Sequence, residues 1–324
     1  MNLLKPFLVS LTILILVANG LMAQVLKVDP AVPEYEKVRG ISGNANSIGS
    51  DTMNNLMTLW LEQFKKYYPL VNIQIEGKGS STAPPALIEG TAQFGPMSRE
   101  MKSKEIDDFE KKYGFKPLMI KTSLDALAIF VHKDNPVDCL SLEEADAVFS
   151  KTRKRGFAND VITWGDLGLK GEWAGKPISI FGRNSASGTY GYFKSELLKK
   201  GDYKDSVKEQ PGSASVVQGI TEDKYSIGYS GIGYVTSGVK AVKLSKKKGE
   251  KCVDGSYENV KSNAYPLSRY LYLNIVKHPN KPLDPLVKEF LKFVLSQEGQ
   301  QIVIKDGYLP LPNDVLQAEL KKLE

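Results

Sequence analysis

Residues 183–189 read Arg-Asn-Ser-Ala-Ser-Gly-Thr and run straight into Tyr190-Gly191-Tyr192-Phe193-Lys194, a helical start. An arginine, three hydroxyls and a glycine therefore meet where a helix begins. The first turn of a helix carries N–H groups without partners and a partial positive charge. Hydroxyls, open backbone and a guanidinium fork together suit a tetrahedral oxyanion. The same residue types also build ordinary turns and N-caps, so this stretch alone leaves both readings open.

Working outward, three more loops share that chemistry: Gly49-Ser50-Asp51-Thr52, Gly79-Ser80-Ser81-Thr82 and Ser98-Arg99. Any one of them could be a simple cap; four on one predicted edge weaken that reading. The surrounding pattern alternates strands and helices. Residues 38–41 are a candidate first strand and residues 43–50 a Gly, Ser and Asn loop. Leu56, Leu59, Trp60 and Phe64 have helix spacing within residues 51–68, and residues 71–75 alternate like a strand. Helices are expected near 84–89 and over Ser103–Tyr113, then at 141–149, 189–199, 215–221, 285–295 and 298–305. Strands are expected at 178–181 and in the glycine-rich stretch 227–235. In open α/β sheets ligands gather where strands end and helices start.

Two apolar strands, residues 123–132 (SLDALAIFVH) and 267–276 (LSRYLYLNIV), read as crossings between two lobes. One lobe holds residues 37–130 plus 267–324 and the other residues 131–266. Residues 24–36, with Pro30 and Pro33, read as a loose leader. No internal repeat or low-complexity tract interrupts the chain.

The N-terminus has Lys5, an apolar run over residues 7–17 and small residues ending at Ala23-Gln24. That is the layout of a secretory signal peptide cut after Ala23. The run is short for a bilayer span, and no cysteine stands at the cleavage point to carry a lipid. The expectation is an exported, periplasmic, monomeric protein. Cleavage leaves 42 basic against 37 acidic residues, a net charge of +5, compatible with attracting anions. Basic and aromatic residues do not interleave as a nucleic-acid surface requires. Cys139 and Cys252, the two cysteines, fit no zinc spacing; in an oxidising compartment they form a disulfide or remain two buried thiols. His132 and His278 lack companions at metal spacing, so no metal or cofactor is expected.

At this point the chain resembles the phosphate-binding proteins of bacterial phosphate-specific ABC transporters, of type II periplasmic binding protein architecture. The matching segments include IGSDTMNNLMTLWLEQFKKYYP, IEGKGSSTAPPALIEGTAQFGPMSRE, ALAIFVHKDNPV, FGRNSASGTYGYF, SVVQGITEDKYSIGYSGIGYV, YPLSRYLYL and EFLKFVLSQEGQQIVIKDGYLPL, in family order over nearly the whole chain after residue 23. The resemblance implies an α/β fold of two lobes, each a mixed sheet flanked by helices, joined by two hinge crossings and closing on inorganic phosphate for delivery to an ABC transporter permease. By position it assigns phosphate binding to Ser50, Asp51, Thr52, Ser80, Ser81, Arg183, Ser187, Gly188 and Thr189. In well-known members an aspartate follows the serine at the position of Ser98; here Arg99 stands there, which puts the usual proton acceptor in doubt.

Phosphate near neutral pH carries at least one proton and sulfate none. A buried carboxylate accepts a hydrogen bond from the first and repels the second. Asp51 is the candidate acceptor, or else an N-cap for the helix that follows. Arg99 is the second candidate guanidinium, or else a surface residue. Ser185 either donates or braces the turn, while Tyr190 and Tyr192 pack beside the site. Another oxyanion such as sulfate, molybdate or arsenate remains an alternative ligand. A secreted phosphatase-like relative is an alternative class, although no serine has a convincing His-Asp partner, and a sensor or adhesive role on the same fold is a third.

Overall fold

The strand Leu118–His132 organises the molecule. In this computed structural model, which describes residues 26–324, that strand is buried along nearly its whole length, as its apolar sequence requires. Its first part pairs antiparallel with Ser268–Ile275, from Leu118 opposite Ile275 to Ala126 opposite Ser268. Its second part pairs antiparallel with Ser226–Gly231 and Val239–Ala241. The sheet continues to Gly95–Met97 beyond one side, and to Ser179–Arg183 and Lys208–Gln210 beyond the other, seven strands in all. The latter two and Ser226–Gly231 run parallel to one another. The expected signal peptide and its cut after Ala23 lie outside the described residues.

The first strand is not residues 38–41. It is Gly43–Ile48, parallel to Val71–Glu76. Val38 is exposed and offers nothing to bury. The small residues Ala45 and Ser47 point inward instead, and alternation of burial, not bulk, makes this segment a strand. Residues 26–36 are not loose either. Val32 is buried, Gln297 N–H donates to Pro33 O at 2.8 Å, and the Tyr35 hydroxyl reaches Tyr68 and Glu289.

Two large apolar clusters flank the long strand. On one side Asn54–Tyr67 buries Leu56, Met57, Trp60 and Phe64, and ends before Pro69. It packs against Phe290 and Phe293 of the helix Pro285–Val294, which Asp284 caps through Leu286 and Val287 N–H. On the other side Phe193, from the helix Gly188–Glu196, stacks on Tyr229 at 3.8 Å, beside Phe149. Sequence reading passed over the C-terminal helix Asn313–Lys321, which buries Leu316. It also passed over the parallel pair Cys139–Ser141 and Lys243–Ser245. A Cys139–Cys252 disulfide ties this pair down, with Cα atoms 6.1 Å apart.

Candidate functional site

Backbone packing fixes where the hydroxyl loops end up. Ser50 N–H donates to Pro96 O at 2.7 Å, which sets the single turn Asp51–Met53 against the neighbouring strand. The hydroxyls of Tyr308 and Tyr234 then hold that turn by donating to Thr52 O and Asp51 O at 2.8 and 3.1 Å. Ser80 opens the next turn, and its Oγ accepts from Ser98 N–H at 3.0 Å. From the other side of the molecule come Ser187, Gly188 and Thr189. Ser187 Oγ caps its own helix by accepting from Thr189 N–H at 3.1 Å and Tyr190 N–H at 3.4 Å.

The two sides meet. Thr52 Oγ1 and Thr189 Oγ1 lie 2.9 Å apart, and Ser81 N–H donates to Ala186 O at 3.1 Å. Gly188 approaches so closely that a Cβ there would collide with Ser80 Oγ and Ser98 Oγ. Gly79, at φ +104°, likewise lies against Ala186 O; a side chain at either glycine would hold the two sides apart. Thr52, Ser80, Ser98 and Thr189 are thereby removed from water together.

Arg183 stands at the end of its strand and is almost wholly buried. Nη1 donates to Ser213 Oγ at 2.6 Å, Nη2 donates to Pro211 O at 3.1 Å, and Nη2 pairs with Asp51 Oδ2 at 3.1 Å. Burial pushes this guanidinium below its ordinary pKa, and the Asp51 carboxylate opposes that shift. Among the described residues nine buried side-chain polar atoms have no protein partner, and two of them belong to this cluster: Arg183 Nε and Ser50 Oγ. Buried donors are normally satisfied, so these mark a place where a polar guest completes the set.

Asp51 does not cap the helix that follows it. Oδ2 accepts from Ser213 N–H at 2.8 Å, capping a helix of the opposite side, Ser213–Glu222. Arg99 is held chiefly by carboxylate and carbonyl groups rather than by the hydroxyls. Its Nη atoms donate to both oxygens of Glu105 at 2.8 and 2.7 Å, to Glu100 O at 2.8 Å, and more loosely to Ser81 Oγ at 3.3 Å. Its charge is thus neutralised by Glu105, and it faces a groove of about 600 Å³ beside Tyr192, Arg269 and Tyr270. Where a second free guanidinium was expected to face the anion, Arg99 is instead a largely buried partner of Glu105 whose one link to the hydroxyl loops, among the described residues, is Ser81. Ser185 is exposed, Tyr190 stacks on Tyr203, and the Tyr192 hydroxyl donates to Ser268 O.

Sequence reading missed Arg269 and Asp125. They sit opposite each other on the two central strands and form a buried pair at 2.7 Å. Arg269 Nη2 also donates to Thr189 Oγ1 at 3.0 Å. The available signal was a charge inside each of two otherwise apolar strands, SLDALAIFVH and LSRYLYLNIV. Ser213 was also missed as a member of the cluster, while Ser98, read as part of a hydroxyl loop, was not itself assigned to the anion. Among the described residues no group of His, Cys, Asp and Glu could hold a metal. His132 and His278 each accept through Nδ1 from a backbone N–H two residues on.

Two opposed charge pairs nearly cancel, so hydroxyl and backbone dipoles remain to bind a guest. That arrangement favours a small anion with several acceptor oxygens over a cation or an apolar molecule. Comparison with known proteins agrees in kind. Residues 38–298 match the model of the PBP superfamily domain. The chain is 57% identical to the phosphate-binding protein PstS of Pseudomonas aeruginosa, over 99% of each chain. It is 29% identical to the PstS of Staphylococcus haemolyticus over 88% of this chain and 87% of that one. A Clostridium perfringens structure, described as a phosphate ABC transporter substrate-binding protein with bound phosphate, superposes with a TM-score of 0.70 at 26% identity, covering 83% of this chain and all of that one.

Proposed function

This chain belongs to the PBP superfamily, among its phosphate-binding proteins, and from that premise we propose that it captures inorganic phosphate between two lobes and delivers it to the permease of an ABC transporter. The observation that carries this reading is the meeting of Thr52 and Ser80 with Thr189 in one buried cluster beside Arg183. These groups come from segments more than a hundred residues apart, and none of them is needed there to fill a core.

In this reading residues 37–130 plus 267–324 form one lobe and residues 131–266 the other. Phosphate docks on the hydroxyl turns of the first lobe. Closure then brings the first turn of Gly188–Glu196 and Arg183 onto it. Excluding water strengthens each polar contact. Ser50, Thr52, Ser80, Ser98, Ser187 and Thr189 supply hydroxyls, Gly188 lets the backbone approach, and Ser81 braces the interlobe contact. Asp51 Oδ1 accepts no hydrogen bond from the described residues, and it is the acceptor for the phosphate proton. Binding rather than catalysis is the role, because nothing in the cluster activates a nucleophile.

The protein acts in the periplasm, exported by a signal peptide removed near Ala23. Among the described residues no helix is long and apolar enough to cross a membrane. Calorimetry of the anion-stripped protein with phosphate, sulfate and arsenate tests the reading. Heat with phosphate and none with sulfate is expected; the reverse preference overturns it. A chromogenic phosphomonoester should be left intact.

A further inference from the structure

Arg269 and Asp125 belong to no hydroxyl loop, yet their pair reaches the cluster through Ser98 and Thr189. Arg269 Nε and Nη2 hold Asp125 Oδ2 at 2.8 and 2.7 Å. Nη1 donates to Ser98 O at 2.9 Å and Nη2 to Thr189 Oγ1 at 3.0 Å. The other carboxylate oxygen, Oδ1, accepts from Ile232 N–H at 3.1 Å. One ion pair on the two central strands thus touches the Ser98 loop, the first turn of Gly188–Glu196 and the turn after Ser226–Gly231.

A guanidinium can only donate. Thr189 Oγ1 must therefore accept from Arg269, and its single proton points elsewhere. Thr52 Oγ1, 2.9 Å away, and an anion among the hydroxyls are its available acceptors. A neutral side chain in place of Arg269 could accept that proton and turn Thr189 away from the anion. Resting on the phosphate-capture reading, we propose that Arg269 is a positioning residue for capture: it fixes the Thr189 hydroxyl as a donor toward the anion through a bond that exists only when the lobes are closed. Asp125 holds the guanidinium in register and offsets its charge. The pair's contribution is orientation and coupling to the hinge, not bulk attraction.

The test measures phosphate affinity by calorimetry and phosphate release by stopped flow. It compares four proteins: wild type, Thr189→Val, the charge-neutral pair Asp125→Asn/Arg269→Gln, and all three changes together. The neutral pair should bind phosphate roughly 10- to 100-fold more weakly and release it faster. Thr189→Val should cost about 10-fold alone but under about 3-fold in the neutral-pair background, because coupled residues are non-additive. Equal costs of Thr189→Val in both backgrounds, or wild-type affinity in the neutral pair, overturn the proposal. If the neutral pair fails to fold, Arg269→Lys carries the test. An ammonium keeps the charge against Asp125 but cannot hold Ser98, Asp125 and Thr189 in one planar fork. About tenfold weaker binding with an unchanged melting temperature supports the proposal; unchanged binding refutes it. A wild-type protein that gives no heat with phosphate sinks the capture reading itself, and this inference with it.

Discussion

Two arginine–aspartate pairs stand within reach of the same threonines, and they are built differently. Arg269 and Asp125 face each other across adjacent strands, with side chains 2% and 0% exposed. Arg183 is as deeply buried, but its partner Asp51 comes from the opposite side and is 25% exposed. The first pair lies within the sheet, between strands that are hydrogen-bonded to each other. The second joins the turn Asp51–Met53 to the strand Ser179–Arg183. In the proposed two-lobe reading the first pair is fixed and the second is the reversible one, made when the lobes close. Sequence alone shows only one of these pairs: Arg183, beside the Ser-Gly-Thr run, attracts notice, and Arg269, inside an apolar strand, does not.

The sharpest way to break this distinction is to remove each arginine without phosphate present. Arg269→Ala strands Asp125 in the interior and should lower the unfolding free energy by about 3–5 kcal/mol. Arg183→Ala lets Asp51 return to water, so it should lower it by only about 1 kcal/mol. Urea unfolding of the anion-stripped proteins measures both. Equal losses would mean that Asp51 and Asp125 are held alike, and Arg183–Asp51 would not be the reversible pair.

With phosphate present the order of importance should reverse for Arg183. The Arg183→Ala variant faces a dianion with one guanidinium fewer and an Asp51 carboxylate no longer balanced. Affinity should fall by about 3 kcal/mol, roughly a hundredfold, in calorimetry. Unchanged affinity would place the anion away from Arg183.

Much of this was legible in the residues. Small and hydroxyl residues at helix starts beside an arginine point to groups that share one place, and the structure does bring Ser80 and Thr189 together near Arg183; that the place holds an oxyanion is the proposed reading. What escaped notice depended on pairing between distant segments. Asp125 and Arg269 are 144 residues apart, and only strand register brings them opposite. Arg99 has a local partner that its own position does not announce. Glu105, six residues on, both accepts from Lys102 N–H at the start of Ser103–Tyr113 and binds the Arg99 fork. The first strand was misjudged because Gly43–Ile48 carries small residues where bulk was sought.

A gentler change sharpens the reversible pair. Asp51→Asn keeps an acceptor oxygen and the shape of the side chain but removes the negative charge. It should reduce the preference for phosphate over sulfate by about 1–2 kcal/mol, since a neutral amide no longer repels a fully deprotonated oxyanion. Competition calorimetry at matched ionic strength reads this directly. A preference that survives intact would assign proton acceptance to another group.

The smallest effect concerns a third carboxylate, Asp306, which has no arginine at all. Burial raises its pKa to about 6, against a lesser lowering from the Asn55 amide that donates to it. Unfolded, it titrates near the ordinary aspartate value of about 3.9. The folded state therefore binds the proton more tightly between these values, and Asp306 destabilises the fold progressively as pH rises through that window. The penalty is absent below about pH 4 and complete above about pH 6. Because the side chain is only partly shielded from water, solvent screening cuts the penalty to about 1 kcal/mol. Asp306→Asn keeps an oxygen for Asn55 and removes the charge. It should gain about that much stability at pH 7.5 and nothing at pH 4 in urea unfolding. A gain of equal size at both pH values would trace the effect to packing rather than charge. No gain at pH 7.5 would show that water screens this carboxylate well enough to cancel the cost of its burial.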